Sequence, residues 1–327
     1  MKFYQNKEVA ITGGLGFLGS NLAIELVRLN ARVTVIDPML PLYGGNMFNV
    51  TPVKDQIRIE LKDIRDEADM NRLVRGKDVI FHIGNQTSHV ESMTDPFLDV
   101  DINCRGNLIF LEACRKYNPD VKIVYAGTRA QYGRPESIPV REDHPMNPTD
   151  IYGANKHAGE QYHAIYRKAY GMRTTSLRIN NSYGPRHQMK HSKYGILNWM
   201  IRLALDGKVI PIYGEGSQLR DYNYVDDVIQ AFILTGASAV SDGESYNLGS
   251  GKPAAFREIA EKIVAISGSG KLEFVPWPED RQRIETGDYV ADFTKIKQQL
   301  GWEPRVSFDD GLEQTVRYYR QHKKHYW

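Results

Sequence analysis

A short apolar strand that runs straight into a glycine-rich turn leaves a chain few ways to fold, and residues 8–37 open with one. Glu8-Val9-Ala10-Ile11-Thr12 reads as the strand and Gly13-Gly14-Leu15-Gly16-Phe17-Leu18-Gly19 as the turn. A helix from about Ser20 to Leu29 is expected next, then a second strand, Arg32-Val33-Thr34-Val35-Ile36-Asp37. Gly13, Gly16 and Gly19 permit a tight turn and let backbone N–H groups approach a pyrophosphate at the helix N-terminus, where the dipole favours an anion. Glycines at this spacing carry little weight alone. A strand before them, a helix after them and an acid closing the second strand make the unit specific for a dinucleotide.

The 327 residues give room for a large core and two lobes. Charged residues make up 25% and the formal net charge is +2, with both signs interspersed, which argues against a nucleic-acid-binding surface. Cys104 and Cys114 fall in one predicted helix without metal-ligand spacing, so free buried thiols are expected. His187 and His191 are four apart in a loop-like stretch, and no metal is expected there. No apolar run has the length of a membrane span and no signal peptide precedes the first strand, so a soluble cytoplasmic protein is expected.

Further along, Pro38 to Val53 reads as a loop with a short helix, Ile57 to Leu61 as a third strand and Asp78 to Ile83 as a fourth. Asp63 and Ile64 follow the third strand, where an adenine can rest; Asp63 can equally cap the helix that carries Met70 and Leu73. Asn103 to Tyr117 has helical apolar spacing, Val121 to Ala126 is a fifth strand leading to Gly127-Thr128, and Thr174 to Ile179 is a sixth. Beyond it short strands (Val209 to Tyr213, Leu272 to Val275) alternate with helices (Tyr194 to Leu205, Phe256 to Ser267, Phe293 to Leu300). Asp226 is expected to cap a helix from Asp227 to Gly236, and Ser307 to Asp310 to start the last helix. The fold class is therefore α/β: a Rossmann-type, doubly wound parallel sheet with a smaller mixed α/β C-terminal lobe for substrate. Expected boundaries are 1–177 plus about 222–248 for the dinucleotide domain, and 178–221 with 249–327 for the substrate domain.

Tyr152 and Lys156 lie four apart, one turn above each other on a helix face. Acid–base work by a phenol at neutral pH means moving its pKa from ~10 towards 7, about 4 kcal/mol, and a nearby ammonium favours the phenolate. A Tyr-x-x-x-Lys pair alone is common on solvated helices. Here it comes after the glycine turn, Asp37 and Thr128, all where a nicotinamide enzyme needs them.

Nearly the whole chain resembles the extended short-chain dehydrogenases that act on nucleotide sugars, the epimerases and dehydratases. The resemblance rests on residues 12–19 with Asp37, on Thr128, on Tyr152-Gly153-Ala154-Asn155-Lys156, on residues 177–186, on residues 220–227 and on Leu300-Gly301-Trp302-Glu303-Pro304. It implies NAD held by Gly13, Gly16, Phe17, Leu18, Gly19, Asp37, Asp63 and Ile64. Tyr152 would be the base, Lys156 the group that grips the nicotinamide ribose and lowers the phenol's pKa, and Thr128 the helper. Substrate would meet Thr128, Arg129, Asn181, Arg186, Tyr213, Arg220 and Arg283. The arginine-bearing element near the C-terminus departs from the family pattern, leaving open whether Arg281 or Arg283 reaches the diphosphate.

The reading that results is an NAD-dependent 4-epimerase of a UDP-hexose or UDP-hexuronate, working through a 4-keto sugar. The alternatives are a 4,6-dehydratase or UDP-glucuronate decarboxylase on the same scaffold, and a non-catalytic dinucleotide-binding protein. In relatives that eliminate, an acid two positions after the threonine serves C5 and C6, and the dehydratases pair it with an Asp just before. Here those positions hold Ala130 and Arg129, neither of which can give a proton at ordinary pH. The partner is the nucleotide sugar, with no nucleic acid and no membrane. A homodimer is expected, paired through the helices near Asn103–Tyr117 and Asp150–Tyr170.

Overall fold

Alternate residues of the first strand face opposite ways, and both faces are apolar, so the strand must be covered on both sides. The computed structural model, which describes residues 2–40 and 43–327 with the Asp280 side chain excepted, shows how. Strands β1 (Glu8–Thr12), β2 (Arg32–Ile36), β3 (Ile57–Glu60), β4 (Val79–His82), β5 (Lys122–Thr128) and β6 (Arg173–Ile179) form one parallel sheet. Val9 and Ile11 pack on one face with Leu22 and Phe232, while Ala10 packs on the other with Met70, Phe110 and Leu111.

After β6 come the short strands β7 (Asn181–Tyr183), β8 (Val209–Tyr213), β9 (Leu219–Arg220), β10 (Tyr222–Tyr224), β11 (Ser245–Asn247), β12 (Ala254–Ala255) and β13 (Lys271–Val275). β11 returns to the main sheet beside β6, giving seven strands in the order β11-β6-β5-β4-β1-β2-β3. The other six make three two-stranded pairs, β10 with β7, β12 with β9 and β13 with β8. The chain winds outward from β1 in one direction and restarts at β4 in the other. A crevice therefore opens at the carboxyl ends of β1 and β4.

Some expected boundaries move, each for a local reason. The first helix begins at Phe17, three residues before Ser20, because its N-cap is Gly16. The helix expected from Asn103 begins as a π turn, Asp101–Gly106, and becomes α-helical at Asn107–Tyr117. Gly195, with φ of 66°, holds the next helix back to Ile196. Asp226 does not cap: the helix is Val225–Ala237 with Tyr224 at its N-cap, so Asp226 stands inside the first turn. Its neighbour Asp227 instead accepts from the N–H groups of Arg305 and Val306. Ser307 does cap the last helix, Phe308–His322, accepting from Asp310 N at 3.1 Å. Among the described residues no helix is long and apolar enough to cross a membrane.

Candidate active site

The sheet's carboxyl edge forms the floor of a cleft of about 540 Å³, and residues from the C-terminal half form its opposite wall. At the start of the cleft Gly13 adopts φ of +69°, and a Cβ there would lie 2.7 Å from Gly84 Cα. Gly19 is out of the cleft lining; a Cβ on it would lie 2.2 Å from Gly13 O, so its bareness seats the helix against the turn. Gly16, Phe17 and Leu18 line the cleft, and the helix they open has no side-chain cap. That uncapped N-terminus leaves backbone N–H groups for an anion.

Asp37 follows β2 directly and is buried at the cleft, accepting from Leu15 N at 3.0 Å and Met39 N at 2.7 Å. Burial raises its pKa, against these two hydrogen bonds. Asp63 and Ile64 also line the cleft. The cap of the helix Glu67–Leu73 is Asp66, which accepts from Asp69 N, whereas Asp63 grips the Arg65 guanidinium at 2.7 Å. Burial raises the Asp63 pKa, and the Arg65 hydrogen bonds more than reverse it.

Tyr152 and Lys156 stand on the helix Ile151–Tyr170, started by the Asp150 carboxylate that accepts from Gly153 N at 2.7 Å. Both side chains line the cleft and are buried. Burial pushes the Tyr152 phenol well above its ordinary value, and a hydrogen bond with Thr128 pulls the other way. Lys156 reaches the neighbouring strand. Its Nζ donates to Ala126 O at 2.6 Å and lies 4.1 Å from the Tyr125 ring centroid, while burial brings its pKa down to about 7. The two side chains share a helix face, but the ammonium is turned onto β5.

Of the expected substrate residues, Thr128, Arg129, Asn181, Tyr213 and Arg220 line the cleft. Arg220 pairs with Glu285 and donates to Gly287 O at 2.8 Å. Arg186 and Arg283 are elsewhere. Arg186 donates to Asn49 O at 3.2 Å and Asn21 Oδ1 at 2.9 Å and stacks on Tyr318, which ties the start of the C-terminal half to the first helix. Arg283 is exposed and pairs with Glu279, while Arg281, its alternative, lines the cleft.

His89 is a cleft residue that the sequence patterns miss. Its Nδ1 lies 2.5 Å from Asp150 Oδ2 and its ring packs edge-on to Tyr152, centroids 5.0 Å apart. The two residues are sixty-one positions apart, so only the fold makes them neighbours. Trp277, on the far wall near Tyr213, is likewise silent in sequence because a lone tryptophan has no spacing to read.

Known proteins share this architecture along the whole chain. The family described as GDP-mannose 4,6 dehydratase matches residues 10–315. A UDP-glucose 4-epimerase of Mycolicibacterium smegmatis is 33% identical over 95% of this chain and 97% of its own. An epimerase structure from Methanothermobacter thermautotrophicus superposes with a TM-score of 0.92 at 27% identity, covering 99% of this chain and 95% of that one. A dTDP-glucose 4,6-dehydratase from Streptomyces venezuelae, solved with NAD bound, superposes with a TM-score of 0.89 at 28% identity, covering 97% and 98%.

Proposed function

Because the chain belongs to the extended short-chain dehydrogenase/reductase family of nucleotide-sugar epimerases and dehydratases, we propose that it is an NAD-dependent 4-epimerase of a UDP-linked sugar. The cradle fits NAD: an uncapped helix N-terminus behind Gly13 and Gly16 suits a pyrophosphate, and the buried Asp37 carboxylate suits a ribose diol. Pro38 and Met39 follow Asp37 in the chain, so no adjacent basic residue neutralises a 2′-phosphate. The chemistry a bound nicotinamide supplies is a reversible store for one hydride. Tyr152 takes the proton of the C4 hydroxyl as the 4-keto sugar forms and returns it after the sugar has turned over. Thr128 holds the phenol through its hydroxyl, and Lys156 provides positive charge at the cleft floor. Arg220 and Arg281 line the cleft, and their guanidinium groups suit the diphosphate.

The two residues after Thr128 favour epimerisation over elimination. Arg129 and Ala130 are both buried, and neither can act as an acid on C5 or C6. Without that acid the keto sugar takes its hydride back. Mass spectrometry and NMR of products from a panel of UDP-sugars test this. An unchanged mass with inverted C4 is expected, and loss of water or of carbon dioxide would overturn it.

The assembly we propose is a homodimer. The helices His89–Thr94, Pro96–Val100 and Ile151–Tyr170 pack together and leave Met93, Phe97, Val100 and Ile165 exposed, Phe97 by 84%. Large apolar side chains grouped on neighbouring helices suit an isologous contact.

A further inference from the structure

Arg129 lines the cleft yet is only 8% exposed, and its guanidinium makes one described hydrogen bond, from Nη1 to Thr286 Oγ1 at 2.8 Å. It stacks over Tyr289 at 5.1 Å from the ring centroid. Among the described residues no carboxylate lies within ion-pair distance of it. The nearby acid, Glu285, is committed to Arg220 and to the N–H of Gly287. Burial, and then the like charge of Arg220, lower the Arg129 pKa. A charge taken out of water is tolerated when it is paired, so this one calls for a partner from outside the chain.

The location of the charge says which part of a ligand it meets. Arg129 directly follows Thr128, and its charge acts on the Tyr152 phenol, so it stands at the reacting end of the cleft. Arg220 lines the same cleft, near enough for its like charge to act on Arg129. Arg220, paired with Glu285, and Arg281 come from the C-terminal wall of the cleft and suit a diphosphate, which leaves the third guanidinium to the sugar. Tyr222 adds an independent sign: it lines the same cleft, and its buried hydroxyl has no partner among the described residues.

We propose that Arg129, with the Tyr222 hydroxyl, binds a carboxylate carried by the sugar, so that the substrate is a nucleotide hexuronate rather than a neutral hexose. This rests on the proposed UDP-sugar 4-epimerase activity. A guanidinium suits this task because its planar fork matches a carboxylate and it stays charged at any ordinary pH.

Calorimetric titration of the NAD-loaded protein with UDP-glucuronate, UDP-glucose and UDP tests the carboxylate, the neutral sugar and the diphosphate separately. UDP-glucuronate should bind about tenfold tighter than UDP-glucose, or more. Arg129→Gln should erase that preference and leave UDP binding unchanged, and Arg129→Lys should restore part of it. Equal affinity of the parent protein for both sugars overturns the proposal. So does an equal loss of UDP affinity in Arg129→Gln, which would put the residue on the diphosphate. Absence of UDP binding removes both the proposal and the reading beneath it. NMR of the UDP-glucuronate samples separates the two: inversion at C4 supports both, whereas Arg129-dependent release of carbon dioxide supports the carboxylate subsite and overturns epimerisation.

Discussion

Tyr152 and Lys156 are one helical turn apart, yet burial drives their pKa values in opposite directions, the phenol up and the ammonium down to about 7. Tyr152→Phe removes only the proton-transfer group. It should lower turnover by about 10²- to 10⁴-fold while bound NAD, released by denaturation and quantified, stays at the parent level. Retention of most of the activity would remove Tyr152 from the mechanism. For Lys156 the sign of the stability effect follows from its depressed pKa. An unfolded lysine titrates near ~10.4, so between about pH 7 and that value the unfolded chain holds a proton that the folded chain has released, and stability rises with pH. Below about pH 7 both states are protonated and the folded state carries the full cost of the buried charge. Lys156→Met should thus gain most over the parent below about pH 7, with the gain shrinking towards about pH 10. Urea unfolding of both proteins at about pH 6 and about pH 9 checks the trend, and a gain that grows with pH would contradict it.

At the scale of elements, the helix Ile151–Tyr170 must be held against the sheet for its catalytic face to meet Thr128. An internal ion pair does much of this. Arg178, on β6, reaches Glu160 at 2.6 Å, with the two side chains 7% and 4% exposed. Glu160 also accepts from Gln131 Nε2, Ser176 Oγ and, on β11, Ser245 Oγ, so β6, β11 and the turn after β5 converge on one carboxylate. Burial raises the Glu160 pKa, but the Arg178 hydrogen bond and charge bring it below its ordinary value. Removing one member strands the other charge in the interior. Arg178→Met should cost roughly 3–5 kcal/mol, read as a lower midpoint in chemical denaturation. Arg178→Met with Glu160→Gln should recover much of that loss. A single variant as stable as the parent would show that the pair does not anchor the helix.

At the scale of the whole molecule, the exposed apolar side chains lie on the helices His89–Thr94, Pro96–Val100 and Ile151–Tyr170, the last of which carries Tyr152. A dimer through this face would brace the helix that carries Tyr152. Phe97→Glu puts a charge in the middle of the contact and should give a monomer by light scattering at micromolar protein. A parent protein that is itself monomeric at that concentration would discard the dimer.

The βαβ unit at residues 8–37 was legible because its signals are local: glycines where a Cβ cannot fit, an apolar strand of alternating faces, and an acid at the strand's end. Tyr152 and Lys156 were legible as a pair for the same reason, since helical spacing places them on one face. Local pattern did not determine where the side chains turn once buried. Lys156 reaches across to Ala126 O on β5, and Arg186 and Arg283 left the expected substrate set because partners distant in sequence or on the same short helix hold them. His89 meets Asp150 only because the helices His89–Thr94 and Ile151–Tyr170 pack against each other. Backbone geometry and apolar period are written in consecutive residues. The pairing of buried charges depends on which strands become neighbours, and the tertiary fold alone decides that.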